Sequence, residues 1–133
     1  MPPRQHIFTG SKYEELAGYA RAVIVGDHVY VSGTVGVDFD TGVMPDGATA
    51  QAEQALKTIA WSLNEAGSSF DEVVRVRVYI PDPADIMAVS TVLKNQIGHA
   101  SPANTTVCAP LAVPECKVEI EVEAVRGSAL QAD

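Results

Sequence analysis

Apolar and polar positions change period several times along this chain, and each change marks an element. Residues 21 to 33, RAVIVGDHVYVSG, hold two β-branched runs split by Gly26 and Asp27. Glycine and aspartate accept turn dihedrals, so 21 to 25 and 28 to 33 are predicted to pair as a hairpin. Asp40-Thr41-Gly42 marks a second turn. From about 47 to 66, Ala52, Ala55, Leu56, Ile59, Ala60 and Leu63 fall at helical spacing, and Gly67 offers a left-handed cap. Trp61 lies beside this stripe and is expected in the core or an interface. Residues 73 to 80 alternate instead, with Val74, Val76, Val78 and Ile80 on one face and Arg75, Arg77 and Tyr79 on the other. Pro81 and Pro83 end that strand, and Ile86, Val89, Leu93 and Ile97 form one stripe of a second helix over 84 to 97. Strands near 104 to 109 and 117 to 126 complete the order ββ(β)αβαββ. The class predicted is α+β, a mixed sheet with two helices packed on one face.

At 133 residues and 47% hydrophobic composition the chain can bury one core. Residues 1 to 126 are read as one domain and the tail GSALQAD, 127 to 133, as disordered. A net charge of −8 with no Lys/Arg cluster repels phosphate backbones, so no nucleic-acid partner is expected. No apolar run approaches the roughly 20 residues of a membrane span, and Met1 to Gly10 lacks the pattern of a signal peptide. A cytoplasmic protein without membrane contact is the expectation. Cys108 and Cys116 allow one bridge at most and are read as two reduced, partly buried thiols. His6, His28 and His99 stand in unrelated contexts, and the glycines near Gly33 and Gly36 do not precede a helix. Neither a metal, a phosphate loop nor a cofactor is therefore expected.

Near the C-terminus Glu119, Glu121 and Glu123 share one strand face, and Val118, Ile120 and Val122 the other. The acidic row reads as a solvated face able to pair with Arg75 and Arg77, or, at Glu119, as the carboxylate of a site.

Four segments in order carry a resemblance over nearly the whole chain. They are AGYARAVIVGDHVYVSGTVGVDFDTG, QALKTIAWSLNEAGSSFDEVVRVRVYIPDPAD, the loop Pro102-Ala103-Asn104, and the strand opening Glu119-Ile120-Glu121. Together they resemble the YjgF/RidA family, whose counterparts read Gly-Pro-Tyr-Ser-Gln-Ala-Val, an Ala-Ala-Gly turn before Asp-Asp-Val-Val, Pro-Ala-Arg, and Glu-Ile-Glu. Residues 1 to 16, with Phe8 and Tyr13, fall outside the likeness, and Gly18 stands where the opening motif has proline.

The resemblance implies a chorismate-mutase-like fold, as in the bacillus enzyme, assembled as a barrel-like homotrimer with small-molecule clefts between subunits. It implies a 2-imino acid or enamine deaminase in which Glu119 holds the attacking water. Tyr19 and the backbone of Ser32 and Gly33 line the cleft, and Thr106 occupies a position where many members have cysteine. Asn104 replaces the arginine that grips the substrate carboxylate. Exchanging a charged fork for an amide forfeits on the order of 2 to 3 kcal/mol, or about a hundredfold in affinity. The reading is therefore an arginine-less branch with altered substrate choice, with Arg21 or Arg77 as alternative sources of the missing cation. A trimeric protein that binds a metabolite without turning it over is the other reading. The family's older label, endoribonuclease L-PSP, sits poorly with the acidic charge.

Overall fold

The computed structural model describes residues 3–131. A short strand β1 (Gln5–Ile7) and helix α1 (Lys12–Ala17) precede the hairpin of β2 (Ala22–Val25) and β3 (His28–Val35). Helix α2 (Ala48–Glu65), strand β4 (Val73–Ile80), helix α3 (Ile86–Ile97) and strands β5 (Ala103–Cys108) and β6 (Glu119–Val125) follow. The six strands form one mixed sheet in the order β1-β2-β3-β6-β4-β5, with only the β4–β5 pair parallel. The α+β expectation holds. Sequence patterning passed over β1 and α1, because three exposed or half-exposed strand residues and one six-residue helix carry too few apolar positions to show a period.

The core lies between the sheet and the two long helices. From α2 come Ala52, Ala55, Leu56, Ile59 and Leu63, from α3 Val89, Leu93 and Ile97, and from the sheet Val29, Val31, Val76, Val78, Ile120 and Val122. Each fully buried Leu or Ile contributes about 1.5 to 3 kcal/mol by leaving water. Ala66 ends α2 and Gly67 follows at φ 76, the left-handed position predicted for it. Arg126 fastens the far end of this layer, donating to the carbonyls of Ala66 at 3.2 Å and Gly26 at 2.5 Å.

Three sequence expectations need correction. Val74 is exposed and Val73 buried, because the β4–β6 register shifts between Val73 and Arg75 and moves the start of β4 out of phase with its later alternation. Cys108 is exposed at the end of edge strand β5, while Cys116 is buried with its thiol pKa pushed up by desolvation. Trp61 is 42% exposed and stands outside the core cluster, which removes the core half of its expectation and leaves the interface half. In the tail, Gly127 donates to Glu72 at 2.5 Å and Ser128 to the Val125 carbonyl, so its first residues are tied down. Residues 132 and 133 lie outside the described ones.

Candidate active site

The site begins with an irregularity in β3. Val31 pairs with Val122 and Thr34 with Ile120, so Ser32 and Gly33 stand opposite the single residue Glu121. Such a bulge re-aims the chain locally. Ser32 then closes the corner: its hydroxyl donates to the Ala20 carbonyl at 2.7 Å and its N–H to the Arg21 carbonyl at 3.0 Å. Gly33 receives the Glu119 side chain, whose Cδ and Oε2 lie 3.0 Å from where a Cβ on Gly33 would sit.

Tyr19 reaches the same corner through a helix cap. Gly18 ends α1 in the left-handed conformation at φ 72, and Tyr19 N–H bonds the Glu14 carbonyl at 2.9 Å. Proline cannot adopt that φ, which accounts for glycine where the resembling motif has proline. The Arg21 guanidinium lies between two rings, 5.7 Å from the centroid of Tyr19 and 5.9 Å from that of Phe39. One of its nitrogens, Nη2, donates to the Gly33 carbonyl at 2.6 Å. Tyr19, Arg21, Ser32, Gly33 and Glu119 are thus brought together by one chain.

Glu119 is half-buried, and desolvation together with the Glu121 charge raises its carboxyl above the ordinary range, while Arg21 opposes the rise. Its neighbours along the row are not simply solvated. Glu121 accepts from the Tyr79 hydroxyl at 2.5 Å, which pushes the phenol pKa up. Arg77 lies 3.9 Å from Glu121 and 3.5 Å from Glu123, so this guanidinium is shared between two carboxylates. Arg75 stands in register with Glu123 but forms no ion pair among the described residues.

Asn104 and Thr106 are elsewhere. Both lie on β5, the exposed edge of the sheet, where the Thr106 hydroxyl donates to Asn104 Oδ1 at 2.9 Å. That bond occupies the amide's acceptor and leaves its two N–H donors for a ligand. Register separates this pair from Glu119. Asn104 and Thr106 stand beside Val76 and Val78, whose side chains face the helices, whereas Glu119 stands beside Tyr79 and Val35 on the opposite face. One chain therefore places the two groups of expected site residues on opposite faces of the sheet.

Sequence reasoning missed Phe39 and Glu14. Phe39 follows β3 in a loop and Glu14 is buried on α1, accepting from the Thr9 N–H at 3.0 Å and from the Thr9 hydroxyl. No period flags either; a buried glutamate in a six-residue helix has no signature in sequence. Phe39 also lines an open cavity of about 280 Å³ with Asp38, Lys57 and Trp61, on the helix side. Among the described residues no group of His, Cys, Asp and Glu is arranged to hold a metal ion.

Comparison with known proteins follows the same lines. The family described as Endoribonuclease L-PSP matches residues 9–126. The RutC family protein UK114 of Drosophila melanogaster is 35% identical over 126 residues, covering 94% of this chain and 91% of the relative. The 2-iminobutanoate/2-iminopropanoate deaminase of Rattus norvegicus is 32% identical over 93% of this chain and 91% of its own. Among solved structures, a YjgF/YER057c/UK114 family member from Mycobacterium tuberculosis is 34% identical, with a TM-score of 0.85 over 92% of this chain and 99% of that one. TdcF of E. coli with bound serine gives 0.76 at 28% identity, over 82% and 88%. Agreement of profile, sequence and fold over the same stretch places this chain in the Endoribonuclease L-PSP family, the YjgF/RidA/UK114 group.

Proposed function

We propose that this chain is a small-molecule hydrolase of the imine and enamine deaminase type, working as a homotrimer, with substrate choice altered by Asn104. The observation that carries the reading is the half-buried Glu119 carboxylate held against Gly33 beside the Arg21 cation. The rat relative's name, a 2-iminobutanoate/2-iminopropanoate deaminase, supports the reaction class. TdcF with bound serine supports a pocket of amino-acid size.

In this reading Glu119 accepts a proton from water as the oxygen attacks the imine carbon, and the C=N π electrons move to nitrogen. The carboxylic acid then returns the proton to that nitrogen to give a carbinolamine. Glu119 next takes the proton of its hydroxyl and passes it to the nitrogen as the C=O forms and the C–N bond breaks, so one ketone and one ammonia leave per imine and water consumed. A general acid–base pair of steps of this kind is worth about 10²- to 10⁴-fold. The Asn104 and Thr106 pair approaches from a second copy, since one chain places it on the other face of the sheet. An amide there suits a neutral carbonyl or amide-like group better than a carboxylate.

The test is Asn104→Arg, assayed with imines generated by an amino acid oxidase, alongside Glu119→Gln. Asn104→Arg should raise 2-imino acid turnover about tenfold to a hundredfold, roughly 1.4 to 2.7 kcal/mol of transition-state binding, and Glu119→Gln should abolish it. Strong 2-imino acid activity in the natural protein would refute the altered choice. A folded, trimeric Asn104→Arg protein that stays inert would favour binding without turnover.

A further inference from the structure

A buried arginine is costly unless its charge is answered, and Arg21 is answered only in part. The residue is 3% exposed. Its Nη2 holds the Gly33 carbonyl at 2.6 Å, while Nε is enclosed and has no partner. Among the described residues no carboxylate stands within ion-pair distance of it. Two lie close enough to act through the field, Glu14 and Glu119. Glu14 is already occupied, accepting from both the N–H and the hydroxyl of Thr9. Glu119 rests on Gly33, the residue whose carbonyl Arg21 holds.

We propose that Arg21 is a positioning residue for Glu119: through Gly33 it fixes the backbone on which the carboxylate lies, and its enclosed charge favours the charged carboxylate over the neutral acid. This rests on the reading of Glu119 as the reacting group. The side-on fork through Nε and Nη2 is closed, because Nη2 holds the Gly33 carbonyl and Nε is enclosed. Arg77 is committed as well, to Glu121 and Glu123. In this proposal the buried charge of Arg21 serves the base.

The surroundings of Glu119 leave the charge on Arg21 unrivalled. Facing Glu119 are Glu121 on its own strand, Tyr79 on β4, Cys116 in the loop before β6, and Arg21 at the entry to β2. Arg21 is the one cation of the set, and burial together with Glu121 works against it. The Tyr19 and Phe39 rings hold the guanidinium between them, a role a lysine ammonium fills less well because it lacks the plane.

The experiment is a carboxyl titration of ¹³C-glutamate-labelled protein without ligand, the Glu119 signal being assigned by its loss in Glu119→Gln. In Arg21→Gln the Glu119 midpoint should rise, since loss of a nearby opposite charge removes support for the ionised carboxyl. Arg21→Lys should move it less. Conversely, Glu119→Gln should shift the Arg21 Nε resonance, a measurement that holds even if Arg21→Gln fails to fold. An unmoved midpoint in a folded Arg21→Gln protein, or an unmoved Nε signal in Glu119→Gln, overturns the proposal. Where turnover is measurable, the acid limb of kcat/KM should move by the same amount. The titration without any turnover would sink the deaminase reading and leave the Arg21–Glu119 coupling standing, so the two fail separately.

Discussion

Gly36 and Gln51 meet backbone to backbone: a Cβ on Gly36 would lie 2.6 Å from both the Cα and the carbonyl oxygen of Gln51. This contact seats the start of α2 on the end of the β3 strand. The Gln51 side chain extends the seat, donating to the carbonyls of Pro45 and Glu115 at 3.0 and 3.1 Å and accepting from Lys117 N–H at 2.7 Å. Gly36→Ala should therefore destabilise the fold by about 2 to 3 kcal/mol, the upper part of the range for overpacking, because backbone cannot step aside. Urea midpoints measure it, and a loss under about 0.5 kcal/mol, the size of an ordinary surface substitution, would contradict the contact.

Gly33→Ala is expected to behave in the opposite way. The added methyl meets the mobile end of Glu119 at 3.0 Å and no backbone atom, so the fold should lose little. Activity should fall about tenfold to a hundredfold, since displacing a reacting group by about 1 Å has costs of that size. A melting temperature near that of the natural protein with lost turnover is the expected pair of results; unchanged turnover would detach Glu119 from the chemistry.

The raised Glu119 pKa makes a prediction about stability and pH. Between the unfolded value of about 4.3 and the higher folded value, the folded state binds more protons than the unfolded one, so stability falls as pH rises through that window. Glu119→Gln removes this loss. Its advantage over the natural protein should be absent below the window, widen as pH rises through it, and stay constant beyond. Denaturation series from acid to neutral pH give the curve, and a flat or narrowing difference would remove the desolvated carboxyl.

The proposed homotrimer, with clefts shared between copies, predicts complementation. Chains carrying Glu119→Gln and chains carrying Asn104→Asp with Thr106→Val should each be inactive alone. Mixed randomly in a closed three-fold ring, about a quarter of the sites would pair an intact β5 with an intact Glu119. Recovery near that fraction after co-refolding is the expected outcome; none would place each site within one copy.

Much of this was legible in the residues. Gly26-Asp27 announced the hairpin, Gly67 the end of α2, and the 3.6-residue stripe of Ala52, Leu56, Ile59 and Leu63 its buried face. Register was not legible. Strict alternation puts Val74 inside, and a shift between Val73 and Arg75 puts it outside. Nor does alternation say which strands become neighbours, so the division of Tyr19, Ser32, Gly33 and Glu119 from Asn104 and Thr106 could not be seen. Arg21 was visible as a charge beside Ala22, but its burial depends on α1, Tyr19 and Phe39 folding over it, contacts that no periodicity encodes.

The order of the sheet also bears on how the protein emerges from synthesis. β6 is the last strand of the chain yet it lies between β3 and β4, holding one side of the sheet to the other. Until residues 119 to 125 are available, the hairpin half and the β4–β5 half have no strand in common. A growing chain must wait with two unpaired inner edges, which are templates for unwanted pairing. Because β6 also carries Glu119, the step that closes the sheet is the one that delivers the carboxylate, and no partly folded form can hold the carboxylate in place without also holding the fold.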